Sequence, residues 1–362
     1  MSFEPHVLLA GPRGRRLCFE LARVWGKGTS EGVALHRAIF YAAYDADPES
    51  GRMRVFFGPG ADLPRPHPTP GEVAALLAAV PLREPGERDL TEALAAAVDN
   101  ARYWQEPDGE DVLAAAPELH GPLGRVAAEV AASAAARWWT AGIDLAGQCQ
   151  VEFTDQPGRV HSGRAAENLV RWRAGELEGE ARSRHRNHAL GAPVSGRWWS
   201  APVLSDLLQT TRRLGELGPA GLRFVEDSMG WERAAVRDVA TPSDVAVHEI
   251  DGPEAWAWLC RRYPLEVTAG RRHDWFRATG RDGRWVLPDW AAVAREFDGV
   301  HLTAAGYLAT AGAAVPVEDD LASVLAGWDP DATWWLTDAA RPEPVGRDWC
   351  GGGEAGWRPV RA

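Results

Sequence analysis

The chain has 362 residues with 39 basic and 51 acidic side chains, a formal charge of −12 that opposes bulk binding to nucleic acid. A 45% hydrophobic and 25% charged composition is that of an ordinary globular protein of about two or three domains with a sizeable core. No apolar run reaches the ~20 residues of a membrane span. The N-terminus lacks a basic segment ahead of a long apolar one, so the expected location is the cytoplasm.

Taken in chain order, Val7–Ala10 reads as a short strand, Gly11-Pro12-Arg13-Gly14 as a turn, and Arg15–Ala22 as a helix. This context suits a phosphate-cradling loop, but neither GxxxxGK[ST] nor GxGxxG is present there. Gly28-Thr29-Ser30-Glu31-Gly32 fits GxSxG without the buried strand that a nucleophile elbow needs, and reads as a flexible turn. Arg52–Phe57 is strand-like, and a Pro-rich loop runs from Pro64 to Pro70. Pro70-Gly71-Glu72 opens a helix over Val73–Val80. Asp89–Ala136 is Ala-rich and helical, broken near Pro107-Asp108-Gly109 and at Pro117.

Arg137-Trp138-Trp139-Thr140-Ala141 recurs as Arg197-Trp198-Trp199-Ser200-Ala201. The two copies suggest a duplicated helical unit with a packing corner, or two aromatic walls of one pocket. The basic run Arg182–His188 reads as a solvated loop; no local carboxylate or cysteine completes a metal site with His185 and His188. Gly215–Gly221 is the expected domain boundary.

Beyond it, Leu222–Asp227 and Asp244–Ile250 read as strands, and Gly252-Pro253-Glu254 starts a helix that runs to Arg262. Arg284–Pro288 is a strand, with Asp289 capping the helix Trp290–Arg295. Val300–Thr303 is a strand, Ala304–Thr310 a helix, and Thr333–Thr337 a last strand. The tail from Gly351 reads as loose. The expected fold is a mostly helical N-terminal α/β part (1–215) followed by a compact α+β domain (222–340) and a tail (341–362).

Lys27 is the only lysine, and 18 tryptophans, eleven of them at or after Trp231, are many for this length. Cys18, Cys149, Cys260 and Cys350 form no CxxC pair, so free thiols and no bound metal are expected. Two clusters can carry chemistry. Arg271-Arg272-His273-Asp274-Trp275 combines forked donors, an imidazole and an aromatic ring in one loop, which suits a phosphate and a stacked base. It reads equally as an exposed loop with ion pairs. His301 and Thr303 share one strand face, with Tyr307 a helical turn later, and can line a pocket. A lone strand histidine is as readily a core residue. Glu226-Asp227 and Glu318-Asp319-Asp320 read as solvated turns.

Phe297-Asp298-Gly299-Val300, a strand, then Leu325–Pro330 and a final strand resemble the closing half of ADP-ribosyltransferase-like domains. The likeness covers roughly Val245 to Thr337. It implies an NAD cleft in which His301, Thr303 and Tyr307 face the nicotinamide ribose. Asp329 stands near the place of the family's catalytic glutamate. Arg271, Arg272, His273 and Trp275 would meet the pyrophosphate and ring. The whole chain also resembles proteins of high-GC actinobacteria, which implies no activity.

Three functions fit these readings. One is an NAD- or nucleotide-binding enzyme of ADP-ribosyltransferase type. Another is a non-catalytic, Trp-rich protein that grips a peptide or protein partner in an immunity, regulatory or biosynthetic role. The third is a natural-product enzyme whose small-molecule pocket is lined by aromatics.

Overall fold

A computed structural model describes residues 4–48, 66–155, 163–186, 188–190, 192, 194–203, 206–351 and 356–360. Prolines open the first helices from positions where a missing N–H is harmless. Pro5 starts α1 (Pro5–Ala10) and Pro12 starts α2 (Pro12–Gly26); after α3 (Ser30–Ala46), Pro70 starts α4 (Pro70–Ala79). Thr69 and Glu72 close a capping box on α4. Then come α5 (Glu87–Asp99), α6 (Gly109–Ala114), α7 (His120–Ala132) and a tight 3-10 turn, Ala134–Thr140. Arginines join α2 to α6: Arg16 pairs with Glu20, Asp108, Glu110 and Asp111, and Arg23 with Glu20 and Glu110.

The remaining elements are β1 (Cys149–Phe153), α8 (Ala165–Arg184), β2 (Gln209–Thr211), β3 (Arg233–Ala240), β4 (Val247–Ile250), α9 (Pro253–Arg262) and β5 (Pro264–Glu266). They continue with α10 (Thr268–Thr279), β6 (Arg284–Pro288), α11 (Trp290–Val293), β7 (Gly299–Leu302), α12 (Ala304–Thr310), β8 (Ala314–Glu318) and β9 (Leu321–Val324). Last are β10 (Ala332–Trp335), β11 (Arg341–Pro342), β12 (Arg347–Cys350) and β13 (Arg358–Pro359). The larger sheet has the order β13-β12-β3-β1-β2-β10-β7-β4, with β11 also on β3. Its pairs are antiparallel except β4 with β7, which needs the long helical crossover between them. The smaller sheet runs β5-β6-β9-β8.

This is an α+β fold with a helical N-terminal part. Strands β1 and β2, from before the expected boundary at Gly215–Gly221, lie in the same sheet as β3, β7 and β10. One apolar core runs from Leu8 through Trp139 and Trp256 to Leu336. Among the described residues no helix is long and apolar enough to cross a membrane.

Several local expectations are corrected. Val7–Ala10 is helical, because Pro5 nucleates a turn that buries Leu8. Leu222–Asp227 is not a strand: a 3-10 turn covers Ala220–Leu222 and Asp227 has a left-handed φ of 49°. Arg271–Trp275 is not a loop but lies in α10, whose period places buried Arg271 and Trp275 on one face. Glu180 of α8 accepts the N–H groups of Ala269 and Gly270, which anchors the first turn of α10. The basic run Arg182–His188 begins inside α8. The Arg-Trp-Trp copies are not a duplicated unit, since the first forms the 3-10 turn and the second is irregular. The tail is tied down where β13 pairs with β12, and Trp349 of β12 packs on Gly218. Residues 52–57 lie outside the described residues.

Gly11 explains why the N-terminal helices dock where they do. A side chain there would overlap the carbonyl oxygens of Leu308 and Ala309, where α12 crosses the α1–α2 junction. Gly11→Ala is therefore expected to lower unfolding free energy by about 1–3 kcal/mol, read by urea denaturation. An unchanged midpoint would show that α12 does not rest on this junction.

Candidate functional site

The site begins with the turn that leads into β10. Gly327 (φ 72°) and Asp331 (φ 61°) are both left-handed, with Pro330 between them. A methyl on Gly327 would come within 2.8 Å of the Trp199 Cβ, so glycine serves both the turn and the close approach. The Trp328 indole N–H donates to the Ala332 carbonyl at 3.0 Å, closing the turn. The result sends the two aspartates to different partners: Asp329 accepts the Glu226 N–H at 2.9 Å, and Asp331 accepts the Arg212 N–H at 3.0 Å.

The second Arg-Trp-Trp copy is strapped beside this turn. Ser200 donates its N–H to the Ala326 carbonyl (2.8 Å), and its hydroxyl accepts the Ala326 N–H (2.9 Å). The indole N–H of Trp275 binds the Trp198 carbonyl at 2.7 Å, and that of Trp290 binds the Ser200 carbonyl at 3.1 Å. Arg271 donates to the Trp199 carbonyl at 3.2 Å while it pairs with Glu176. These bonds hold Trp198 and Trp199 as one wall of a cleft of about 400 Å³. Trp231, Trp334, Gln150 and Gln209 contribute other parts of its lining, with Glu226 and Asp329 among its polar groups.

Burial and the nearby Asp329 charge push the Glu226 carboxyl up to about 8, against the Tyr307 and Tyr103 hydroxyls and the Gly327 N–H. The Gly327 N–H reaches Glu226 Oε2 at 2.7 Å. Burial pushes Asp329 up to about 6, against hydrogen bonds from the Glu226 N–H and the Gln209 side chain. Both carboxyls are raised, Glu226 further than Asp329, so Asp329 gives up its proton before Glu226. Adjacent carboxyls set apart in this way can divide into a proton donor and an acceptor.

Of the expected catalytic residues, Asp329 lines this cleft. His301 has no exposed surface, and both its nitrogens are occupied, by Glu249 at 2.5 Å and Asp331 at 3.3 Å. Burial pushes the imidazole down; the bonds to Asp331 and Glu249 reverse this and raise it. The Arg212 Nε donates to the same Asp331 oxygen, Oδ1, at 2.5 Å, its backbone N–H meets Oδ2, and its guanidinium lies over the Trp138 ring. Thr303 caps α12 by accepting the Gly306 N–H, and buried Tyr307 faces Tyr103 and Glu226 from beneath the cleft. The arginine-rich cluster serves elsewhere: Arg271 and Trp275 hold the Trp198–Trp199 strap, Arg272 reaches the His188 carbonyl, and His273 stands edge-on to His188.

Sequence reasoning missed Glu226, because an acidic dipeptide in a turn looks solvated. The available signal was the Trp-Trp pair, whose reading as a pocket wall fits Trp198–Trp199. Trp139 is instead buried, and Trp138 stacks on Phe224.

Among the described residues no group of three or more His, Cys, Asp or Glu side chains is arranged to hold a metal ion. The charged groups on the lining of this cleft are Glu152, which pairs with Arg237, and the Glu226 and Asp329 carboxyls.

A raised carboxyl contributes stability below its ordinary pKa and loses it as pH rises through the folded value. For Glu226 that window runs from 4.5 to about 8. The unfolding free energies of wild type and Glu226→Gln should run parallel below this window and diverge within it, with wild type losing ground. A constant difference from pH 4 to 9 would show that Glu226 is not a buried neutral acid. Comparison with protein families, with curated proteins and with solved structures gives no match for this chain.

Proposed function

We propose that the protein is an enzyme that moves protons on a neutral, ring-bearing small molecule held among Trp198, Trp199, Trp231 and Trp334. The observation that carries this reading is the Glu226–Asp329 pair at a tryptophan-lined cleft. Indole faces supply flat apolar area for a ring, and Gln150 and Gln209 supply amide donors and acceptors beside it. Glu226 gives its proton to a departing oxygen or nitrogen of the ligand. Asp329 takes one from the attacking hydroxyl or water. The low-dielectric setting that raises both groups also strengthens their contact with developing charge.

This places the protein nearest to the natural-product enzyme among the functions that the sequence suggests. The Asp329 carboxylate and the absence of a basic residue from the cleft's described lining weigh against the ADP-ribosyltransferase reading. The strapping of Trp198 and Trp199 into a cleft weighs against their use as a flat partner-binding face.

Activity should follow a bell-shaped pH profile, rising as Asp329 loses its proton near 6 and falling as Glu226 loses its proton near 8. A panel of chromogenic neutral aryl glycosides and aryl esters provides the assay. Glu226→Gln and Asp329→Asn are each expected to lower kcat by about 100-fold or more while KM changes little. Turnover that survives both substitutions would remove the pair from the chemistry. Saturable quenching of tryptophan fluorescence by panel members that are never turned over would leave the protein a binder.

A further inference from the structure

The aromatic lining does not stop at the edge of the cleft. Trp231, Phe153 and Val225 also line a second cleft of about 330 Å³, so the two hollows share a wall. Across that wall the rings form a continuous series. Trp231 lies 4.4 Å from Phe153 at 33°, and Phe153 lies 5.8 Å from Trp357, which lines the second hollow. Asp99, Arg223 and Ser228 add polar groups of both signs there, and the Arg223 Nε donates to the Leu217 carbonyl. In the first cleft, Trp199 and Trp334 are among the lining residues.

A ligand that matches this surface has flat apolar faces, a rim of hydroxyl groups and no net charge, repeated along a chain. A sugar ring has this form: its C–H faces lie on indoles, while its hydroxyls meet carboxylates, amides and guanidinium. Flat heteroaromatics would use the rings but leave Gln150, Gln209, Asp99 and Ser228 unengaged. Anionic chains meet the Asp329 carboxylate.

We infer that the second hollow, built by Phe153, Trp231 and Trp357, is a further subsite, and that the ligand is a neutral oligosaccharide of at least two rings passing over Trp231. This inference rests on the small-molecule reading of the first cleft and adds the ligand's class and length. The chain's C-terminal segment takes part directly, since β13 pairs with β12 and brings Trp357 against Phe153.

The test is calorimetric titration of the full chain with neutral oligosaccharide ladders of one to six units, built from glucose and from N-acetylglucosamine. Affinity in one ladder should rise about tenfold or more between one ring and three. Trp357→Ala should remove that gain and leave the one-ring affinity unchanged; Trp357→Leu, which keeps apolar volume against Phe153, should give the same result. Trp334→Ala, which removes a ring from the lining of the first cleft, should weaken ligands of every length. Affinity independent of length, or a gain that survives both Trp357 variants, overturns the second subsite. A failure of all members of both ladders to bind overturns the oligosaccharide class. Glu226→Gln separates the two readings: tight, length-dependent binding by wild type and variant alike, with no turnover by wild type, sinks the proton-transfer function and supports the subsite.

Discussion

The ion pair between Glu176 and Arg271, with side chains 2% and 3% exposed, is the interaction on which the candidate site depends. A buried guanidinium is costly unless it is paired. Arg271 is paired: its Nη2 reaches both Glu176 on α8 and the Trp199 carbonyl. Glu176 in turn accepts from Arg197 at 2.8 Å. One acidic side chain thereby binds both the helix behind the strap and the start of the Arg-Trp-Trp segment. Glu180, one helical turn on, anchors α10 by its backbone. Together they place an otherwise irregular segment, and with it two indoles, beside the turn that carries Asp329.

A second ionic network fixes the opposite side of that turn. Arg212, Asp331, His301 and Glu249 alternate in charge when His301 is protonated, so the chain of four is neutral overall. It runs from the end of β2 past the start of β10 to β7 and β4. Asp331 adopts its left-handed backbone there because its carboxylate is held by Arg212 and His301. Asp329, two residues earlier, is then committed to the Glu226 N–H. The histidine expected to act on a ligand thus acts on the geometry of the turn, through Asp331.

Much of the secondary structure was legible because its causes are local. Proline at helix starts, the Thr69–Glu72 box and the alternation before Ile250 need only neighbouring residues. The errors share one cause, which is that partners distant in sequence decided the outcome. Arg271–Trp275 looks like a polar loop until Glu176 and Glu180 are known to lie against it, more than eighty residues away in sequence. Glu226 looks solvated until Tyr103, Tyr307 and Asp329 converge on it. Asp329 was singled out through the resemblance, as the residue near the place of a catalytic glutamate; it lines the tryptophan cleft, among neighbours that differ from those that the resemblance implied.

The abundance of tryptophan acquires a physical reason from this arrangement. Indole is the side chain that can fill core volume and still donate a directional hydrogen bond. Trp275, Trp290 and Trp328 use both properties: each is buried, and each spends its N–H on a backbone carbonyl of the strap or of the turn. Trp256, Trp290 and Trp328 pack against one another beneath these bonds. Trp199 and Trp334, by contrast, contribute to the lining of the cleft, and among the described residues their N–H groups hold no carbonyl. Replacing the first set with phenylalanine would release backbone that positions the site. Replacing the second alters the apolar lining itself. That difference separates residues that position the cleft from residues that form its surface.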